Sequence, residues 1–268
     1  MPGLSSKEEH LIATLGERGR RIFAFDEATA ILGLRKPHAY QIIHQLIKKH
    51  KIQRIEKGKY LLIPPVAWKT GKFTEERLVI ASQLIQPYYV SYWTALNFYG
   101  WTEQPARTVF IATTKLKRTV DLEGTSFRFI KLKPLKFFGF KEQWFGDQKV
   151  AIAEKEKAIV DSLDQPRYAG EIVEVAKGLW NGRAELDFDR MFDYAVRMVN
   201  NAIVKRLGYL LDALGVLSDT LRTQVKEKLT YGYVDLDTNM RTKGQALNRD
   251  WRIRVNVNPR NLTEWIEH

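Results

Sequence analysis

The chain has 268 residues, 44% of them apolar and 28% charged, which fits a globular protein of one large or two ordinary domains and excludes a disordered one. It contains no cysteine, so disulfides, thiolate metal sites and a cysteine nucleophile are excluded. The net charge is +12 and is unevenly placed: residues 1–72 hold 14 Lys and Arg against 6 Asp and Glu, or +8, and the remaining 196 residues hold +4. A small region this basic points to nucleic acid or an anionic surface.

The N-terminus lacks an apolar core of the signal-peptide kind, and no run of 18 apolar residues occurs. The expectation is a cytoplasmic protein with no membrane partner. Ser5 and Glu8 have capping-box spacing and open a helix that buries Leu11, Ile12 and Leu15 before Gly16. Ile22 to Ala24 reads as a short strand. Asp26 opens a second helix, Glu27 to Leu32, stopped at Gly33.

The stretch from Leu34 to Lys51 predicts a third helix. Pro37 suits its first turn, where a missing N–H costs nothing. Ala39, Ile42, Ile43, Leu46 and Ile47 recur at offsets of three and four, the spacing of a buried stripe. The opposite face carries His38, Gln41, Gln45 and Lys48, flanked by Tyr40, His44 and Lys49 and preceded by Arg35 and Lys36. It contains donors and cations without a carboxylate. A solvated face usually mixes both signs, so this one points to a polyanion. His38, His44 and His50 do not share a helical face, which argues against a metal there.

Two strand-like runs, Ile52 to Ile55 and Tyr60 to Ile63, flank Glu56-Lys57-Gly58-Lys59, a tight hairpin with Gly58 at the positive φ. Three helices followed by a hairpin within about 60 residues is the layout of a winged helix-turn-helix. The expected DNA contacts are Arg35, Lys36, His38, Tyr40, Gln41, Gln45 and Lys48 on the third helix. Gln41 and Gln45 are the expected base readers, since an amide pairs bidentately with adenine. Lys57 and Lys59 at the wing tip are the expected phosphate contacts. The unit spans residues 1–70, and the stretch 66–72 reads as a linker.

Residues 71–268 predict a larger mixed α/β domain, making the whole an α+β protein. An amphipathic helix begins at Glu75–Arg77 and ends before Pro87. The aromatic run from Tyr88 to Trp101 could be a stacking platform for bases, but helical spacing favours core. Ser91 is a candidate N-cap. Strands follow at Val109 to Ala112, Phe127 to Leu132 and within Trp144 to Ile152, with a basic loop, Thr113 to Arg118, between the first two. Helices are expected at Glu154 to Leu163, Glu171 to Trp180, Phe188 to Val199, Ala202 to Leu214 and Leu221 to Leu229. Trp251, Ile253, Val255 and Val257 alternate with polar residues and predict a strand that closes the second domain's sheet.

No glycine-rich phosphate loop or metalloprotease or hydrolase motif occurs. Glu154, Glu156 and Asp161 could hold Mg²⁺, which would suit a metal-dependent nuclease or nucleotidyltransferase. The interleaved Lys155 and Lys157 favour ordinary ion pairing at helical spacing instead. Asp161, among Ile159, Val160 and Leu163, is expected to be partly buried against an arginine. The expectation is no catalytic residue, no metal and no cofactor.

The block Tyr89 to Leu96 followed by Tyr99 to Gln104, with Val109 to Thr113 after it, resembles the "S–x–x–T–A–L … G–x–T–[DE]–Q" block of AbiEi-type antitoxins. Glu156, Lys157, Ala158 and Asp161 match the family's "E–K–A–[LI]–x–D" helix. Lys205 to Leu211 is similar to its "RLGYLLE" helix, and Trp251 to Val257 to its closing strand. The chain departs from the pattern at Trp93, Phe98 and Trp101. The resemblance implies a cytosolic regulator that represses its own operon by binding operator DNA through the winged domain. It also implies that the C-terminal domain counters a nucleotidyltransferase-like toxin. The alternative is a stand-alone regulator whose C-terminal domain binds a ligand or dimerises.

Overall fold

The computed structural model describes residues 3–63, 65, 77–102, 107–122, 124–146, 148–240 and 246–266. The expected linker at 66–72, residues 75–76 at the start of the next helix and residues 103–104 of the aromatic block lie outside them.

The chain opens with α1 (Ser6–Glu17), β1 (Ile22–Ala24), α2 (Phe25–Leu32), α3 (Lys36–Lys48), β2 (Ile52–Glu56) and β3 (Lys59–Leu62). Several boundaries have a local cause, although α2 starts at Phe25, one residue before the expected Asp26, and its cap Ala24 makes no side-chain bond. The Ser5 hydroxyl accepts from the Glu8 amide while the Glu8 carboxylate accepts from the Ser5 amide, closing the expected capping box. Gly33 ends α2 at φ +62, a conformation that a Cβ disfavours. Gly58 makes the turn between β2 and β3 at φ +76. The strands form an antiparallel sheet in the order β1-β3-β2. Leu11, Leu15, Phe23, Ala28, Ala39, Ile43 and Leu46 close a core between the three helices and this sheet.

The rest is a mixed sheet backed by helices. Its strands are β4 (Tyr88–Val90), β5 (Thr108–Thr113), β6 (Val120–Leu122), β7 (Thr125–Lys131), β8 (Phe140–Phe145) and β9 (Gln148–Ala153). They run in the order β6-β7-β5-β4-β9-β8, with β5–β7 and β4–β9 parallel and the other pairs antiparallel. The helices are α4 (Arg77–Leu84), α5 (Tyr92–Phe98), α6 (Lys155–Asp164), α7 (Glu171–Gly182), α8 (Phe188–Arg197), α9 (Asn201–Ala213) and α10 (Asp219–Glu227). Tyr88, Tyr89, Tyr92 and Trp101 are buried, so much of the aromatic run is core.

The strand expected to close this sheet does not join it. β12 (Ile253–Val255) pairs with β10 (Val234–Asp235) and β11 (Ala246–Asn248) in a separate three-stranded sheet. Trp251 explains the divergence. Its ring seats on α9 where Gly208 leaves room: a Cβ there would lie 2.4 Å from ring atoms. The indole N–H donates to Asp212 Oδ2 at 2.8 Å, fastening the chain to the helical layer. Asn256, expected on a wet face, is buried and bonds the Asp237 amide and the Asp237 and Met240 carbonyls.

α6 lies among α5, α7, α8 and α9, and every residue from Glu156 to Asp164 is buried. Asp161 therefore has no access to solvent, and its charge partner is Lys157 one turn back, not an arginine. The Ser91 and Tyr89 hydroxyls donate to Asp161 Oδ2 at 2.7 and 3.0 Å, and Lys157 Nζ donates to Tyr89 Oη at 3.0 Å. Ser91 thus starts α5 without capping it, because its hydroxyl serves the carboxylate. Burial lowers the Lys157 pKa against the pull of Asp161, and burial together with Asp161 drives the Tyr89 phenol well above its usual value. Removing one partner leaves an uncompensated buried charge. Asp161→Ala is expected to cost about 3–5 kcal/mol, read as a fall in the urea midpoint at unchanged m-value.

Candidate functional site

α3 is built as the sequence predicts. Ala39, Ile43 and Leu46 are buried, while Ile42 and Ile47 are half-buried. Pro37 occupies the first turn. Arg35, Lys36, His38, Tyr40, Gln41, His44, Gln45 and Lys48 are all exposed. One element thus brings together seven of the nine expected contacts. Among the described residues, the side chains of His38, Gln41, Gln45 and Lys48 make no hydrogen bond or ion pair. Donors and cations are left facing water together.

Three neighbours are committed elsewhere. Tyr40 stacks one ring face on Phe25, with centroids 4.0 Å apart, which presents the phenol edge outward. Lys36 lies 3.6 Å from Asp26, an exposed pair of little energetic weight. Lys49 belongs to the fold: Nζ donates to Glu8 Oε2 at 2.7 Å and to the Gly3 carbonyl at 2.9 Å, tying the end of α3 to the start of α1.

The hairpin divides its two lysines. Lys57 is exposed at the turn. Lys59 turns back, and its ammonium donates to the Gln83 and Leu84 carbonyls at 2.6 and 3.2 Å, at the C-terminal end of α4. Carbonyls left over at a helix end attract a cation. Lys117, in the basic loop after β5, joins it. Its Nζ donates to the Leu84 carbonyl at 2.8 Å and to Glu56 Oε2 at 2.7 Å. Ile22, Ile55 and Leu61 belong to the same buried cluster as Leu78, Val79 and Leu84. Arg54 is also exposed on β2, and its Nε donates to the Glu56 carbonyl at 3.4 Å.

The carboxylates once grouped as a possible cation site have separate partners. Glu154 accepts from the Tyr194 hydroxyl at 2.5 Å, which with burial pushes that phenol up to about 12. Glu156 Oε1 accepts from Arg190 at 2.7 Å and from the Asp187 amide at 3.0 Å. Asp161 is paired with Lys157. Among the described residues, no three His, Asp or Glu side chains gather in a metal-binding group. No described helix is long and apolar enough to cross a membrane.

No protein-family model matches the chain, and no curated protein matches it. Among solved structures, the chain is similar to the RV2827C protein of Mycobacterium tuberculosis. The TM-score is 0.69 at 14% sequence identity, over 100% of this chain and 97% of that one. At this identity the likeness is one of fold alone.

The Glu8–Lys49 contact makes the seating of α3 depend on pH. Burial raises the Glu8 pKa, but the Lys49 ammonium and the Ser5 amide and hydroxyl outweigh it, so the value falls below the ordinary one. A depressed carboxylate pKa contributes stability that is present above the unfolded value, about 4.3, and lost as pH falls through the folded value. Thermal unfolding midpoints are expected to drop below about pH 4 in the wild type, and to drop less in Glu8→Gln.

Proposed function

We propose that residues 1–70 form a winged helix-turn-helix that binds double-stranded DNA, and that the protein is a repressor of the AbiEi antitoxin type. The observation that carries the DNA reading is the α3 face. His38, Gln41, Gln45 and Lys48 stand exposed together, without a carboxylate on that face and without a partner among the described residues. The helix order and the antiparallel β2–β3 hairpin agree with such a unit. In this reading α3 enters the major groove, and Gln41 and Gln45 meet base edges. Arg35, Lys36 and Lys48 hold phosphates, and Lys57 reaches the backbone from the wing. Lys59 serves the fold rather than the phosphates, because its ammonium is already held by two carbonyls. The role against a nucleotidyltransferase-like toxin rests on the four sequence blocks. Ser91 of the aromatic block anchors to Asp161 of the second block, so these blocks meet at one place in the second domain.

A gel shift against the DNA upstream of the protein's own gene tests the reading, and failure to bind any duplex at low salt would overturn it. Lys48→Ala and Lys57→Ala are each expected to weaken binding to all sequences and to lower the slope of log affinity against log salt by about one. Lys59→Ala is expected to leave that slope unchanged and to cost about 1 kcal/mol of stability. Gln41→Ala is expected to lower affinity for the operator more than for random DNA.

A further inference from the structure

Away from α3, two clefts meet at one exposed residue. The first, about 380 Å³, lies between the segment after β7 and the turn joining α8 to α9. The second, about 310 Å³, lies between that turn and the segment after α10. Val199 and Asn200 line both. Val199 is 79% exposed and adopts φ +50. It follows the end of α8, a position where glycine is the usual residue because a Cβ is strained there. A β-branched residue at that angle, with most of its side chain in water, buries little apolar area to offset the strain. Strained and exposed positions of this kind cluster at functional sites. Leu135 and Val196, also exposed, add to the apolar surface beside it.

The rim is cationic. Lys131, Lys133 and Lys136 line the first cleft and Lys228 the second. Asp164 is the one carboxylate among the described residues lining either cleft, and it is already neutralised. It accepts from Lys136 Nζ at 2.6 Å and from Asn200 Nδ2 at 2.7 Å. Lys131, Lys133 and Lys228 make no ion pair among the described residues.

We propose that this face docks a protein partner through a segment in which an apolar side chain is flanked by carboxylates. The apolar side chain would sit beside Val199, and the carboxylates would meet Lys131, Lys133 and Lys228. Charge complementarity decides the occupant. A second copy would bring the same lysines face to face across a two-fold axis. Nucleic acid would leave the central valines and leucine against phosphate and water. The proposal is independent of the DNA reading, since α3 contributes no residue to either cleft.

The test places the photo-cross-linker p-benzoyl-L-phenylalanine at position 199 of the full chain, in cells of its source organism. A control chain carries it at position 116, where Leu116 is 86% exposed. The expected result is an adduct at 199 and not at 116. Its partner peptide, sequenced by mass spectrometry, should carry an apolar residue flanked by Asp or Glu. Lys131→Glu with Lys133→Glu, both exposed positions, should reduce the adduct at least tenfold, and Lys228→Glu alone should reduce it by a smaller factor. Gln41→Ala should leave it unchanged, whatever it does to DNA binding. Thermal unfolding of each variant establishes that it is folded. The proposal is overturned by no adduct, by equal adducts at 199 and 116, or by an adduct to nucleic acid or to a second copy. It is also overturned by an adduct that survives charge reversal in folded protein.

Discussion

The second part of the molecule is assembled around an ion pair that water does not reach. Lys157 and Asp161 face one another on α6, a helix whose last nine residues are all buried. Two charges so placed are tolerable only if the surroundings supply the hydrogen bonds that water would have supplied. Tyr89 comes from β4 and Ser91 from the start of α5, so satisfying Asp161 fixes a strand, a turn and two helices relative to each other. Hydrophobic residues alone would permit many packings here, since Ala158, Ile159, Val160 and Leu163 can slide past comparable neighbours. The carboxylate adds a directional demand, since its oxygens must meet Tyr89, Ser91 and Lys157 together.

The same economy of polar groups links the basic region to the rest. The Leu84 carbonyl receives Lys59 from the hairpin and Lys117 from the loop after β5, with Glu56 between the two ammonium groups at 3.3 and 2.7 Å. The two lysines expected as phosphate contacts thus differ in role: Lys57 faces solvent, while Lys59 holds an interface together with Lys117. The excess positive charge of the first 72 residues overstates what remains for a ligand. What remains exposed includes Arg35, Lys36 and Lys48 at α3, Lys57 at the hairpin turn and Arg18, Arg20 and Arg21 after α1.

Helix α3 was legible because both its faces obey the helical period, and a period needs no knowledge of neighbours. The capping box at Ser5 and the hairpin turn at Gly58 were legible for the same reason: each is settled within four residues. The fates of Lys49 and Lys59 were not, because Glu8 lies 41 residues from the first and the Gln83 carbonyl 24 from the second. Asp161 was legible in part: its apolar neighbours pointed to burial, but the partner is Lys157 one turn back and not an arginine. The extent of the burial, nine residues of a helix with charge at half its positions, follows from how many helices surround α6, which no local pattern encodes. The position of the last strand failed similarly: alternation announced a strand, and the grip of Gly208 on Trp251 decided which sheet received it.

The placement of Ile22, Ile55 and Leu61 bears on how such molecules diversify. These three side chains belong to the larger core although they lie in the first 62 residues. A unit seated this way does not separate from the remainder of the chain as a self-contained cassette. A graft that altered those three positions would leave bare methyl groups on the sheet behind the hairpin and an open pocket over α4. The outward face of α3 is under no such constraint, because its exposed side chains take no part in that shared core.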